Sequence, residues 1–415
     1  GHFVPGLKRY RMRSSSSAMR KKKILLFPLL VALLGAGCGA ANQVPASTLT
    51  ANTRVLKADT PEYGMWWSYR DYERQLKDKS EEEARTVIDQ ALADMQTIGI
   101  NRVYVHAVSF TDAFYDSALY PRSVYLGAGT YDALKIFTEL GHQRGMKVDA
   151  WINPMRSFSV TEAEELEMNA TIAAWIKENN ERVRRVNDRY YLNPAYVECR
   201  ELITSVVQEI LEKEDVDGIH MDDYFYPSGA EKKFDAYIFS LEQEKDPEIT
   251  LEDFRRRTVN QLVQSIHDTV KAKDSTLVYS VSPSGNMENN HQQIYAWPQD
   301  WVKAGSIDAL MPQIYWGFDH PTKPFVATLQ EWKDVTAGTD VRLIPGLAAY
   351  KIGKADYYAP GQASQEWVEN SDILGREVAQ AIAAGCQGVA YFDYGTLFMP
   401  EAEIKENVEN EIVHI

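Results

Sequence analysis

The chain has 415 residues, 45% hydrophobic and 25% charged, which is enough apolar material for a sizeable core in one large domain or two. Its formal charge is −15, and eight basic residues with no acid precede Cys38, so the remainder carries 36 Lys+Arg against 59 Asp+Glu. A body this acidic argues against a nucleic-acid partner, which needs a basic footprint, and it repels a densely anionic polymer unless local basic subsites override the field.

Residues 1–18 resemble neither a signal nor a domain and read as a mis-start or non-native extension. Met19-Arg20-Lys21-Lys22-Lys23 is a basic n-region, and Ile24 to Leu34 is an apolar stretch too short to span a bilayer comfortably. Gly35-Ala36-Gly37-Cys38 then looks like a bacterial lipoprotein cleavage box, although Gly35 stands where an aliphatic residue is usual. Residues 19–38 are therefore expected to be a signal peptide, with Cys38 lipidated and the protein held at a membrane outside the cytoplasm. An ordinary secretory signal is the alternative. Residues 39–60 are rich in Ala, Asn, Thr, Ser and Pro and read as a flexible tether. With Cys38 used for lipid, Cys199 and Cys386 make no disulfide scaffold and are expected to be buried thiols.

The folded domain is expected over residues 61–400, with 401–415 as a tail. Strand and helix signals alternate through it. Gly64 to Ser68 is a first strand, and Glu81 to Ile98 is an amphipathic helix ended by Gly99. Arg102 to His106 is the second strand, followed by a helix over Tyr131 to His142; Lys147 to Asn153 is the third. An insertion with a charged helix around Ala170 to Val186 comes next. Asn193 and Pro194 have the residue types of a cap and a first turn for a helix running through Glu212. Val216 to Met221 is the fourth strand, ending in Asp222 and Asp223, and a second insertion spans about Tyr226 to Thr250.

A long helix from Leu251 to Lys271 leads to the fifth strand, Leu277 to Ser282, and a short helix, Trp297 to Ala304, to the sixth, Ile307 to Tyr315. Phe325 to Val335 is helical, Arg342 to Leu347 is the seventh strand, Glu366 to Ala384 is helical, and Gly388 to Tyr394 is the eighth strand. Eight short apolar strands with helices between them predict a parallel (β/α)8 barrel with insertions after strands three and four. A doubly wound open sheet is the rival. Its nucleotide-binding glycine turn is missing, because Gly127-Ala128-Gly129 lacks the third glycine and follows no strand.

In such a barrel the strand ends converge on one mouth. The polar and aromatic residues expected there are Trp66, His106, Asn153, Arg156, His220, Asp222, Asp223, Tyr224, Gln313, Tyr315, Trp316, Tyr391 and Asp393. Ser282 and Tyr350 sit at strand ends as well. Carboxylates among aromatics suit a sugar site, since aromatic faces stack on pyranose rings while amides and carboxylates bind hydroxyls. Glycoside hydrolysis needs two carboxyl groups, one protonated and one ionised. Asp222, Asp223 and Asp393 are the candidates, with Asp149 and Asp319 weaker: Asp149 shares the phase of Asn153 but sits deeper. Strand phase sends His220, Asp222 and Tyr224 to one face, and the same reasoning counts Tyr391 as inward. No Gly-x-Ser-x-Gly elbow, His-Glu-x-x-His helix or Cys/His zinc spacing is present, and no motif requires a metal or organic cofactor.

Tyr191-Leu192-Asn193-Pro194, followed by a helix and then Asp217-Gly218-Ile219-His220-Met221-Asp222-Asp223-Tyr224, resembles a bacterial glycosyl-hydrolase-like lipoprotein family first catalogued as a domain of unknown function. Trp151 to Pro154 and Met311 to Tyr315 resemble its signatures too. The resemblance covers about residues 61–400. It implies a (β/α)8 barrel, an extracytoplasmic lipoprotein and glycoside hydrolase activity, on peptidoglycan glycan strands stripped of peptide in some members. More distantly, Asp217 to Asp222 is similar to the fourth strand of α-amylase-type barrels, where the position of Asp222 is the nucleophile and an arginine replaces His220. Tyr224 stands where the chitinase-type strand keeps its acid glutamate, and Ser282 and Ser284 leave none where amylases keep theirs. Asp222 is thus the expected central carboxylate, partnered by Asp223 or Asp393. A glycan-binding barrel without hydrolysis and a transglycosylase are the rival functions.

Overall fold

A computed structural model describes residues 60–415 of the chain. The expected signal segment, Cys38 and the tether up to residue 59 lie outside the described residues. Eight parallel strands form the centre: β1 (Glu62–Trp67), β2 (Arg102–Val108), β3 (Lys147–Ile152), β4 (Gly218–Met221), β5 (Val278–Val281), β6 (Ala309–Leu310), β7 in two pieces (Arg342–Leu343 and Gly346–Ala348) and β8 (Gly388–Phe392). Neighbours in sequence pair in space, from β1–β2 to β5–β6, and β1 also pairs with β8. The broken β7 closes the ring. Its first piece pairs with β6 and its second with β8. Across the break Ile344 N–H donates to Leu310 O at 2.9 Å, and Ala390 N–H donates to Pro345 O at 3.1 Å. Pro345 has no N–H to give, so the ladder is interrupted there but the chain keeps its course. The (β/α)8 expectation is met.

Both faces of the sheet are covered, so β2 is buried along its whole length, with Arg102, Tyr104 and His106 on one face and Val103, Val105 and Ala107 on the other. The barrel interior holds Trp66, Tyr104, Trp151, Ala309, Met311, Ile344 and Ala390 as one packed cluster. The large aromatics come from β1, β2 and β3, and small or flexible residues face them from β6 and β8. Gly64 belongs to this arrangement, because a Cβ there would lie 2.5 Å from the Tyr104 ring. Met65, Trp67 and Tyr391 point the other way, into the larger cluster beneath the helices.

Several expected elements change. The charged helix of the first insertion ends early. Ala170–Lys177 is helical, but Val183–Val186 pairs with Arg189–Leu192 and, through it, with Arg156–Ser159 in a small antiparallel sheet. Asn193 is not a helix cap. The helix runs Val197–Lys213 with Tyr196 at its cap position, and the buried Asn193 amide donates to Glu181 O and Phe234 O, tying the two insertions together. The expected helix Glu366 to Ala384 is two, Glu366–Glu369 and Ile373–Ala383. Residues 401–415 are no tail: Lys405–His414 is helical, and the buried Glu411 carboxylate accepts from Ile373 N–H and Leu374 N–H at 3.1 Å each. No disulfide forms among the described residues, and Cys199 and Cys386 are buried.

Candidate active site

The floor of the mouth is two neutral histidines held by the barrel wall. Trp66 Nε1–H donates to His220 Nε2 at 2.9 Å, which leaves the His220 proton on Nδ1, 2.8 Å from Ser280 Oγ. Burial, and then the charge of Arg102, pushes His220 down to about 3. One layer higher, His106 stacks on Trp151 with ring centres 3.5 Å apart. Tyr69 N–H donates to His106 Nδ1 at 3.0 Å, so the neutral ring carries its proton on Nε2, 3.1 Å from the Asn153 amide. The amide oxygen is the group that can receive it, which turns the NH2 of Asn153 elsewhere. Burial holds His106 well below its ordinary pKa, with Arg156 and His220 adding to the effect.

Above this floor β4 runs out into Asp222 and Asp223. Asp222 Oδ1 accepts from Asp223 N–H at 2.8 Å and from Gln313 Nε2–H at 2.9 Å. The same Gln313 amide donates to Ser282 O at 3.1 Å, which fixes its orientation. Burial raises the Asp222 pKa well above the usual carboxylate range, and the neighbouring Asp223 carboxyl raises it further, while Arg156 opposes both. Because Oδ1 already accepts two N–H bonds, the proton of neutral Asp222 belongs on Oδ2. Arg156 lies with its guanidinium carbon 3.5 Å from the Tyr224 ring centre. Beside Asp223 an open groove of about 410 Å³ is lined by Tyr191, Tyr224, Tyr226, Ser284 and Asn289.

On β8, half-way round the ring from β4, Asp393 ends the strand. Its Oδ1 accepts from Thr396 N–H at 3.2 Å and Thr396 Oγ1–H at 2.9 Å. Behind it lies Asp71, fully buried, with Oδ2 held by Ser68 N–H at 2.9 Å and Oδ1 unpartnered. Burial and then Asp393 push Asp71 up to about 7. Tyr315 joins the two sides. Its hydroxyl is raised well above its ordinary value by burial, then by Tyr350, and then by the charges of Asp222, Asp223 and Asp393.

The sequence model described as glycosyl hydrolase-like 10 matches residues 63–367. The chain belongs to the glycosyl hydrolase-like 10 family. It is 30% identical to the glycosyl hydrolase YngK of Bacillus subtilis over 67% of this chain and 58% of that protein, so it spans less than two thirds of that relative. It is 28% identical to the glycosyl hydrolase DigH of Escherichia coli over 69% of this chain and 70% of that one. Among solved structures, the PgaB glycoside hydrolase domain of Bordetella bronchiseptica superposes with a TM-score of 0.55 at 13% identity, covering 86% of this chain and 98% of that one. The catalytic domain of β-amylase from Paenibacillus polymyxa gives 0.55 at 10% identity, with the same coverage. At these identities the likeness shows the fold.

In this glycosyl hydrolase-like 10 chain the expected site residues separate into two tiers. Arg156, Asp222, Asp223, Tyr224, Gln313, Tyr315 and Trp316 are partly or well exposed at the mouth, and Asp393 lies buried at its edge. Trp66, His106, Asn153 and His220 are buried in the floor. Trp66 offers no free face to a sugar, because its ring packs inside the barrel and its N–H is bonded to His220. Tyr391 is a correction: it lies on the helix side, and Phe392 takes the inward place expected of it, stacking 6.3 Å from Tyr315. Asp149 is bound by Arg102 at 2.8 Å, deep below the mouth, and Asp319 is exposed on a loop. Tyr69 and Asp71 were missed. Their signal was Ser68-Tyr69-Arg70-Asp71, a capping-box pattern directly after β1 that starts a helix at the mouth.

Proposed function

We propose that this protein is an extracytoplasmic, lipid-anchored glycoside hydrolase that cleaves a cell-envelope polysaccharide, with peptide-free glycan strands of peptidoglycan as substrate. The observation that carries the reading is the pair of acids that ends β4, with Asp222 held by Gln313 Nε2–H at 2.9 Å and by Asp223 N–H at 2.8 Å, and Asp393 ending β8 on the other side of the same mouth. Family membership and the names of the relatives support glycosidic chemistry. The resemblance noted in the sequence supports the glycan strand, and the Met19 to Cys38 segment supports the anchor.

Asp222 is the central carboxylate. Asp222, whose raised pKa favours the protonated form, delivers its proton to the glycosidic oxygen as the C1–O bond breaks. Asp393, on the opposite strand, stabilises the positive charge growing at the sugar ring and either attacks C1 or deprotonates the water that does. Tyr315 and Phe392 supply aromatic faces for the ring, and Gln313 keeps Asp222 aimed. The floor of neutral histidines adds no charge beneath the reacting centre.

The test is a digest of sacculi, amidase-stripped glycan strands and a panel of neutral polysaccharides, read by mass spectrometry. Stripped strands cut to reducing ends support the proposal. Anhydro ends indicate a transglycosylase. Retention on a glycan without any product indicates a binding protein and overturns the hydrolase reading.

A further inference from the structure

Tyr357 and Tyr358 are 92% and 90% exposed, more than any other large apolar side chain in the described residues. They are consecutive residues on the loop that follows β7, and loops of that kind surround the mouth of a barrel. The loop is built to hold them there. Lys351 Nζ donates to Asp356 Oδ2 at 2.8 Å, an ion pair almost wholly out of solvent, and Lys351 also donates to Tyr315 O. Asp356 Oδ1 accepts from Tyr358 N–H at 3.1 Å, and Asp356 N–H donates to Ser364 O at 2.8 Å. The loop tip is therefore tied to the strand end that carries Tyr315, with both phenols turned into water.

Aromatic rings line the mouth at the foot of this loop. Phe392 packs against Tyr350 with ring centres 6.0 Å apart, and Tyr315 against Tyr350 at 5.5 Å. Tyr350 is raised to about 12, first by burial and then by Asp356 and Tyr358.

We infer that Tyr357 and Tyr358 form a distal sugar-binding subsite, where a pyranose ring of a long glycan stacks while another unit of the same chain occupies the mouth. This inference rests on the proposed glycan-cleaving function and adds to it a preference for polymer over short oligosaccharides. Exposed tyrosines suit the task, since a flat apolar face with a polar edge gains contact area at little ordering cost. The occupant is a glycan because the loop is tied through Asp356 and Lys351 to the carbonyl of Tyr315 at the carboxylate-bearing mouth. A membrane surface is disfavoured: the lysine nearest in sequence, Lys354, is paired with Glu401 at 3.5 Å, and the acidic body repels anionic lipid.

The experiment is affinity electrophoresis of the full chain through gels containing amidase-stripped glycan strands or neutral polysaccharides, with sedimentation on anionic lipid vesicles in parallel. Wild type and Asp222→Asn should be retarded alike by at least one glycan. Tyr357→Ala with Tyr358→Ala should weaken that retention about tenfold, and Trp at both positions should restore it, as stacking requires only an aromatic face. The inference is overturned if the double alanine variant is retained as wild type is, if no glycan retards wild type, or if the substitutions affect only vesicle binding. Failure of the hydrolase reading would look different: wild type retarded, retention lost with the tyrosines, and no cleavage product in the gel.

Discussion

Gln313 Nε2–H donates to Asp222 Oδ1 at 2.9 Å at the mouth, reaching from the extension of β6 past β5 to the end of β4. That bond stabilises the ionised form of Asp222, so its loss raises an already high pKa. Gln313→Ala should shift the alkaline limb of the pH–rate profile to higher pH, because the group that must be protonated keeps its proton longer. The rate at the optimum should fall about tenfold as the carboxyl loses its aim. An unmoved limb would show that Asp222 is not the proton donor.

Asp71 should be a liability for stability above neutral pH. Its pKa rises to about 7 in the folded state through burial and Asp393, so the folded protein prefers it protonated. Its contribution is present in full below the unfolded-state value near 4 and is lost as pH rises through about 7. Asp71→Asn keeps an acceptor for Ser68 N–H and removes the charge. Urea melts should show a gain of about 2–4 kcal/mol at pH 8 and almost none at pH 4.

His220 is bonded at both ring nitrogens inside the barrel. Its removal leaves the Trp66 N–H and Ser280 hydroxyl unpaired around a cavity, and His220→Ala should cost about 3–5 kcal/mol in chemical denaturation. The pKa of about 3 adds a pH signature. A depressed histidine contributes stability that is present above about 6.5 and lost as pH falls towards 3, so the cost of the substitution should shrink over that window.

The buried Arg102–Asp149 pair, at 2.8 Å, closes the lower end of the barrel with Glu62 and Arg342 beside it. Arg102→Gln leaves a carboxylate buried without its cation and should lower unfolding stability by about 3–5 kcal/mol. The site lies layers below Asp222, so the pH optimum of the surviving folded enzyme should not move.

What the sequence revealed and what it hid follow from where each signal is local. The strands were legible because short apolar runs bounded by Gly, Pro and acids recur between amphipathic helices. Asp222 and Asp223 were legible because an apolar strand that breaks into two adjacent acids marks the open end of a parallel barrel. The phase of β8 was not. Gly388 to Phe392 is apolar on both faces, so no alternation marks the inner one. Its phase is set by room inside the barrel, where Ala390 faces Trp66 and a tyrosine would not fit. Asn193-Pro194 has the composition of a helix start, yet the amide bonds two insertions distant in sequence. Asp71 was hidden for a related reason: a capping box announces a helix, and only the closed ring brings that helix beside Asp393.

The most direct test of the central claim is the turnover of Asp222→Asn on the glycan that wild type cleaves, with unfolding measured on the same samples. The account predicts a loss of at least about a thousandfold in kcat, with substrate retention and stability close to wild type. A folded Asp222→Asn that keeps more than about a tenth of the wild-type rate would contradict it and move the central role to Asp223 or Asp393.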